Sequence, residues 1–322
     1  MDPRSFVYSR RRFLGLGAGA AGFALTACTS DSSDPAATPT AESQTPPSSG
    51  EPSPSPTISV TLDEKIAQML MVGFRGQTLA KTEPLYTRLS VGLAGSIVLF
   101  DYDVPSEGSS GRNIGNPDQL TALDEQLQAL SPVRLLIATD QEGGPYVNRL
   151  SPKRGFPASY SAEYLGNRDD PEFTRKAAQS MALTMAKAGV NLNLAPVLDL
   201  NVNPNNPIIG SIERSFSSDP AVVTRNALAF IQGHHDAGVL TTLKHFPGHG
   251  SSKDDSHQGF VDVTGLWSRK ELEPFRNVIQ AGEADAIMTA HIFNSELDPD
   301  VPATLSKPVI TGILRGELGY NG

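Results

Sequence analysis

The 322-residue chain has a single cysteine, Cys28, so no disulfide can close within it and its stability rests on the core. It has no basic excess. Lys and Arg total 26 against 35 Asp and Glu, for a net charge of -9, and no basic face is evident beyond the first dozen residues. This argues against nucleic acid as a partner, because phosphate contacts need clustered positive charge. Near the start, the Gly/Ala-rich apolar run from Phe13 to Leu25 falls short of the ~20 residues that span a bilayer. The apolar content of 39%, with 29 Gly and 25 Pro, leaves room for one large core or two modest ones. A soluble enzyme or binding protein is expected.

Arg10, Arg11 and Arg12 precede the apolar run, and a small-residue site follows it, which is the order of an export signal. Ser9-Arg10-Arg11-Arg12-Phe13-Leu14 resembles the twin-arginine signal of bacteria. Leu25-Thr26-Ala27-Cys28 resembles the lipobox, where a lipoprotein is cleaved and its cysteine acylated. Residues 1–27 are therefore expected to be a lipoprotein signal peptide, with Cys28 as the lipidation site. Residues 28–57, rich in Ser, Thr and Pro, read as a disordered spacer. The expected location is the extracytoplasmic face of the cell membrane, reached by export and held by the lipid anchor.

From residue 58 the pattern alternates short apolar runs with longer amphipathic ones. Strands are expected at Met69–Phe74, Gly95–Phe100, Leu135–Thr139, Val190–Leu198, Leu240–His245 and Ala286–His291. Helices are expected at Pro117–Leu130, Pro171–Ala188, Pro220–Asp236, Ser268–Ala281 and Lys307–Leu318. Several open on Pro or an Asp or Ser cap and close on glycine, as at Gly189, Gly238, Gly282 and Gly319. This alternation predicts a parallel sheet covered by helices. Polar residues recur at strand C-terminal ends, at Asp140, Asp199, Lys244 with His245, and His291, the edge where a (β/α)8 barrel builds its site. A doubly wound sheet would carry a phosphate loop after its first strand, and Gly73-Phe74-Arg75-Gly76 lacks that spacing. The fold class is thus an α/β TIM-like barrel. About six βα units are visible where eight are needed, so the barrel, residues 58–322, is expected to be truncated before its seventh strand.

The densest polar stretch is residues 244–257, with three histidines and two aspartates around Pro247, Gly248 and Gly250. Proline and glycine make it poor helix and poor strand, so it reads as a functional loop. Asp255 stands two residues before His257, and a carboxylate beside an imidazole fixes its tautomer and suits it to proton transfer. A metal set drawn from His245, His249 and His257 is the competing reading. However, His245 and His249 pair on one face only in a helix, which Pro247-Gly248 prevents, so no metal is expected. Lys244, His245 and Asp140 sit where they can hydrogen-bond a polyhydroxylated ligand. Arg214 suits a ligand oxygen or a carboxylate. Glu142 reads equally as a structural partner of an arginine, and Asp199 as a loop holder.

Asp140-Gln141-Glu142-Gly143-Gly144, Asn193 to Asp199, Glu213-Arg214-Ser215-Phe216, Lys244 to Gly250 with Asp255-Ser256-His257, and Met288-Thr289-Ala290-His291 together resemble glycoside hydrolase family 3, in its β-N-acetylglucosaminidase branch. The resemblance runs from about Thr61 to Gly322. It implies a retaining glycosidase that removes terminal β-linked N-acetylglucosamine from cell-wall glycans and needs no cofactor. On that pattern His257 is the acid/base, Asp255 orients it, and Asp140, Arg149, Arg214, Lys244 and His245 bind the sugar. Pro145 and Tyr146 stand between Gly144 and Asn148-Arg149, one residue more than the family pattern has. The resemblance places the aspartate nucleophile after a segment like Leu318–Gly322, beyond the last residue, so this chain is expected to bind sugar weakly and not to form the covalent intermediate. The alternatives are a glycan-binding surface lipoprotein without catalysis and a β-glucosidase of the same family.

Overall fold

The computed structural model describes residues 60–103 and 111–322. The expected signal peptide, Cys28 and the spacer lie outside the described residues. Among the described residues ten strands form: β1 Met71–Val72, β2 Ser96–Val98, β3 Leu136–Thr139, β4 Gln141–Gly143, β5 Val147–Asn148, β6 Leu192–Asn193, β7 Leu240–Phe246, β8 Val261–Asp262, β9 Ala286–Thr289 and β10 Ile292–Phe293. Six of them make one sheet in the order β1-β2-β3-β6-β7-β9, and every neighbouring pair is parallel. Each strand lies beside its predecessor in that sheet, so the order never reverses. This is the winding of a (β/α) barrel, and it provides no switch point of the doubly wound kind.

The helices start where their capping residues predict. Helices Pro117–Leu130, Pro171–Lys187 and Pro220–Asp236 each begin with proline in the first turn, behind Asn116, Asp170 and Asp219, whose side chains accept first-turn backbone N–H bonds. Gly189, Gly238, Gly282 and Gly319 all take positive φ just past helix ends. Side-chain alternation then sorts the sheet. Ile97, Ile137 and Leu243 join the main core with the helices, while Val98, Leu136, Ala138, Leu192, Leu194, Leu240 and Met288 form a separate interior cluster. Continuing the period of two along β3 and β7 puts Asp140 and Lys244 on that interior side, at the strand ends.

Several elements differ from expectation. The fourth strand is not continuous over Val190–Leu198. It shrinks to Leu192–Asn193, because Pro196 has no N–H to donate, although Thr242 and Lys244 still donate to the carbonyls of Ala195 and Pro196. The first strand is two residues, and His245 falls inside β7 rather than at its end. Helix Ser268–Ala281 begins as a 3₁₀ turn at Arg269–Leu272 before Glu273–Gln280, and the last helix is a π-helix at Pro308–Glu317. Three helices carried no expectation, Leu62–Gln68, Pro84–Ser90 and Ala162–Arg168; each is seven residues long. Nor did the β4–β5 hairpin that follows β3.

Candidate active site

The site is built where β3, β6 and β7 end. Lys244 is buried on β7, with Nζ 2.8 Å from Asp140 Oδ1 and 2.6 Å from Glu142 Oε1. Glu142, on the hairpin strand β4, also accepts two bonds from Arg214, at 2.7 Å from Nε and 2.8 Å from an Nη. Arg214 comes from the long loop after β6; a 3₁₀ turn at Gly210–Ile212 and the left-handed Glu213 turn it inward, and its other Nη donates to the carbonyl of Ile208 at 2.6 Å. Two cations thus face two carboxylates, Glu142 buried and Asp140 partly exposed at the mouth. Burial alone would raise the Glu142 pKa, but Arg214 and Lys244 overcome it and hold the carboxylate well below the usual range. Arg214 is held charged by Glu142, Asp199 and Asp140 against its own burial. Charges fixed in a low-dielectric pocket are preorganised to bind hydroxyls without rearranging.

His245 is the next member. Its Nδ1 lies 2.6 Å from Asp199 Oδ2, and its Nε2 lies 3.4 Å from an Nη of Arg214. Burial, together with Arg214 and Lys244, lowers its pKa in spite of Asp199, so the ring is neutral, its Nδ1–H donates to Asp199 and Nε2 is left as an acceptor. The fully buried Asp199 stays ionised: burial pushes it up, and His245 and His249 bring it down. Its Oδ1 accepts the backbone N–H groups of His245 and His249, at 3.1 and 2.8 Å. Asp199 therefore holds the loop, and its side chain is turned to the protein.

The Asp255–His257 pair stands further out. His257 Nδ1 is 2.7 Å from Asp255 Oδ1, which also accepts the His257 N–H at 2.8 Å, while the His257 side chain is 75% exposed. Asp255 thereby fixes the ring and leaves Nε2 open to a ligand. Burial acts to raise the Asp255 pKa, and the bonds from His257 more than offset it, keeping the carboxylate ionised. The loop is tied to the site through His249, whose ring nitrogens lie 2.8 Å from Ser252 Oγ and 3.0 Å from Ser256 Oγ.

Of the residues expected from sequence, the structure brings Asp140, Arg214, Lys244 and His245 together, and it pairs Asp255 with His257. Arg149 pairs with Asp101 at 3.2 Å and lies over the Phe100 ring, while its neighbours Asn148 and Leu150 bond Gln141, beside Asp140 and Glu142. Cys28 lies outside the described residues. Among the described residues no group of three or more His, Cys, Asp or Glu is arranged to hold a metal ion.

The model of the glycosyl hydrolase family 3 N-terminal domain matches residues 61–322. The chain belongs to glycosyl hydrolase family 3. It is 34% identical over 292 residues to β-hexosaminidase A of Pseudoalteromonas piscicida, covering 82% of this chain and 48% of that protein. A family 3 β-N-acetylglucosaminidase from Paenibacillus sp. str. FPU-7 superposes with a TM-score of 0.72 at 38% identity, covering 82% of this chain and 48% of that one. NagZ from Neisseria gonorrhoeae, in complex with N-trifluoroacetyl-D-glucosamine, gives 0.69 at 31% identity, covering 79% of this chain and 72% of that one. The chain thus spans about half the length of the first two relatives.

Within this family 3 domain, sequence reasoning missed Asn206 and Glu271. Asn206 is buried; its amide donates to the carbonyl of His249 and to Ser252 Oγ, and its oxygen accepts the N–H groups of Ile208 and Ile209. The Asn205-Asn206-Pro207 run carried a turn signal that hints at such a role. Glu271, 21 residues beyond Gly250, had none.

Proposed function

We propose that this domain carries the sugar-binding and proton-transfer residues of a retaining β-N-acetylhexosaminidase that releases terminal β-linked N-acetylglucosamine from peptidoglycan-derived glycans. The observation that carries the reading is the Asp255–His257 pair at 2.7 Å on an open loop that follows the Asp140–Lys244–Glu142–Arg214 ion cluster. The names of the relatives support the substrate class. In this reading Asp140, Lys244, Arg214 and His245 take the sugar hydroxyls, and Arg149 contacts the sugar from the rim. His257 Nε2 gives its proton to the departing glycosidic oxygen while a carboxylate nucleophile, which none of these residues supplies, bonds the anomeric carbon; His257 then takes a proton from the water that displaces that carboxylate. A histidine here replaces the carboxylic acid of the usual two-carboxylate scheme.

The reading also makes the protein exported and tethered to the membrane through acylated Cys28, on the strength of the Arg10-Arg11-Arg12 and Leu25-Thr26-Ala27-Cys28 segments. Metabolic labelling with a palmitate analogue checks it: a Cys28→Ser variant should lose the label, and an equally labelled variant would refute the anchor.

For the reaction, the full-length protein should hydrolyse 4-nitrophenyl N-acetyl-β-glucosaminide, and His257→Ala should lower kcat/KM by ~100-fold or more, the usual scale for loss of a general acid/base. His257 is exposed, so its replacement removes little packing and leaves the fold intact. An unchanged rate would sink the role of His257. Sugar binding without any hydrolysis would leave a glycan-binding protein in place of an enzyme.

A further inference from the structure

Glu271 is buried to 1% exposure beneath the Pro247-Gly248-His249-Gly250 turn, and the catalytic reading above does not use it. The segment that carries it grips the turn at several points. The Trp267 indole donates to the Pro247 carbonyl at 3.2 Å, and the Phe275 ring meets Phe246 edge-on at a centroid distance of 5.4 Å. Between these, Glu271 Oε2 accepts the N–H of Gly250 at 3.0 Å. Gly248 lies directly against it: a Cβ added there, at φ +126°, would stand 2.6 Å from the Glu271 Cβ. A Cβ at Gly250 would stand 1.7 Å from the Leu200 carbonyl oxygen, so the turn is pressed between the loop after β6 and Glu271.

Two carboxylates therefore divide the backbone donors of this turn. Asp199 takes the N–H groups of His245 and His249, and Glu271 takes that of Gly250. The His249 ring, fixed between these anchor points, reaches Ser252 and Ser256, and Ser256 sits between Asp255 and His257. The path from Glu271 to the acid/base pair is a short series of backbone and ring contacts. The second oxygen, Oε1, is buried beside Ser251 with no well-aligned hydrogen bond. Burial, with Asp199 beside it, also pushes the carboxyl up to about 7.

We propose that Glu271 is a positioning residue for the acid/base loop, holding the Gly248–Gly250 turn through the Gly250 N–H so that His249 and Ser256 present His257 to the ligand; the catalytic part of this rests on the glycosidase reading. Amide hydrogen exchange over residues 248–258 of the full-length protein tests it alongside turnover of 4-nitrophenyl N-acetyl-β-glucosaminide. Glu271→Ala should speed exchange in that segment at least about tenfold and lower kcat by about 100-fold with little change in KM, the scale expected when a catalytic group is displaced by about 1 Å. Glu271→Gln should restore both, because its amide oxygen still accepts the Gly250 N–H. A folded Glu271→Ala variant with wild-type exchange in 248–258 overturns the proposal, and so does a Gln variant as impaired as Ala. If Glu271→Ala does not fold, Gly248→Ala, whose new methyl must push Glu271 aside, should loosen the same segment; unchanged exchange there also overturns it. Absence of turnover in the wild type removes the glycosidase reading, and the exchange comparison then decides the holding role alone.

Discussion

Asp124 should make the domain lose stability as pH rises, and replacing it should remove that loss. It lies on the core face of helix Pro117–Leu130 at 1% exposure, neither oxygen has a hydrogen-bond partner, and a Cβ added at Gly189 would stand 2.6 Å from its own. Burial raises its pKa from the usual 3.8 to about 8. Between those values the folded protein keeps a proton that the unfolded chain has released. The contribution is therefore fully present below 3.8 and is lost as pH rises through about 8. Each unit of that window is worth about 1.4 kcal/mol, so the loss by pH 7 approaches ~4 kcal/mol as an upper figure. Asp124→Asn keeps the shape and does not titrate. Urea unfolding followed by circular dichroism at pH 4.5, 6, 7.5 and 9 should show the variant gaining on the wild type at each step, then levelling above about pH 8. In thermal scans near neutrality the gain should be on the order of 10 °C. Parallel pH profiles for the two proteins would refute the argument, because they would mean that the folded carboxyl is already ionised or hydrated.

The buried ion cluster supplies a second test. Lys244→Met strips Asp140 of its bonded cation and leaves Glu142 with Arg214 alone, and breaking a buried pair from one side should cost ~3–5 kcal/mol in the denaturant midpoint. N-acetylglucosamine binding by calorimetry should vanish with it, and a variant as stable as wild type would contradict the geometry. At the opposite end of β7, the His235 pKa is raised by its 2.7 Å bond to Asp285, against burial and with help from Glu283. Its contribution is present below the usual 6.5 and fades as pH climbs past the raised value. His235→Ala should therefore destabilise by about 1–2 kcal/mol at pH 5.5 and by less at pH 9, read from urea midpoints. A cost independent of pH would count against the charged pair.

The features legible in the sequence were those with local causes. Helix starts at Pro117, Pro171 and Pro220 follow from a capping side chain and a proline that needs no donor. The polar strand ends follow from period-two alternation, which turns Asp140 and Lys244 inward whatever surrounds them. The seven-residue helices and the β4–β5 hairpin were not legible, because segments that short are set by what they pack on. Helix Ala162–Arg168 shows this: its Gly166 lies against the Phe216 carbonyl, 1.7 Å from where a Cβ would be, a contact across 50 residues of sequence. The ion pair of Arg149 with Asp101 was not legible either, because its partner lies 48 residues earlier and outside every motif.

The Pro-Gly-His-Gly turn shows where local reading stops. Its composition says loop, and its histidines say chemistry, both from the residues themselves. The two glycines, however, answer to atoms far along the chain: Gly248 to the Glu271 side chain, Gly250 to the Leu200 carbonyl. The same contacts leave room there for backbone only, bring N–H groups within reach of Asp199 and Glu271, and fix His249 under the acid/base loop. The tightness of the turn and its hold on His257 thus have one cause. A side chain added at Gly248 should therefore disturb proton transfer while leaving the Lys244 ion cluster in place, a separation that would not arise if the glycines served only to bend the chain.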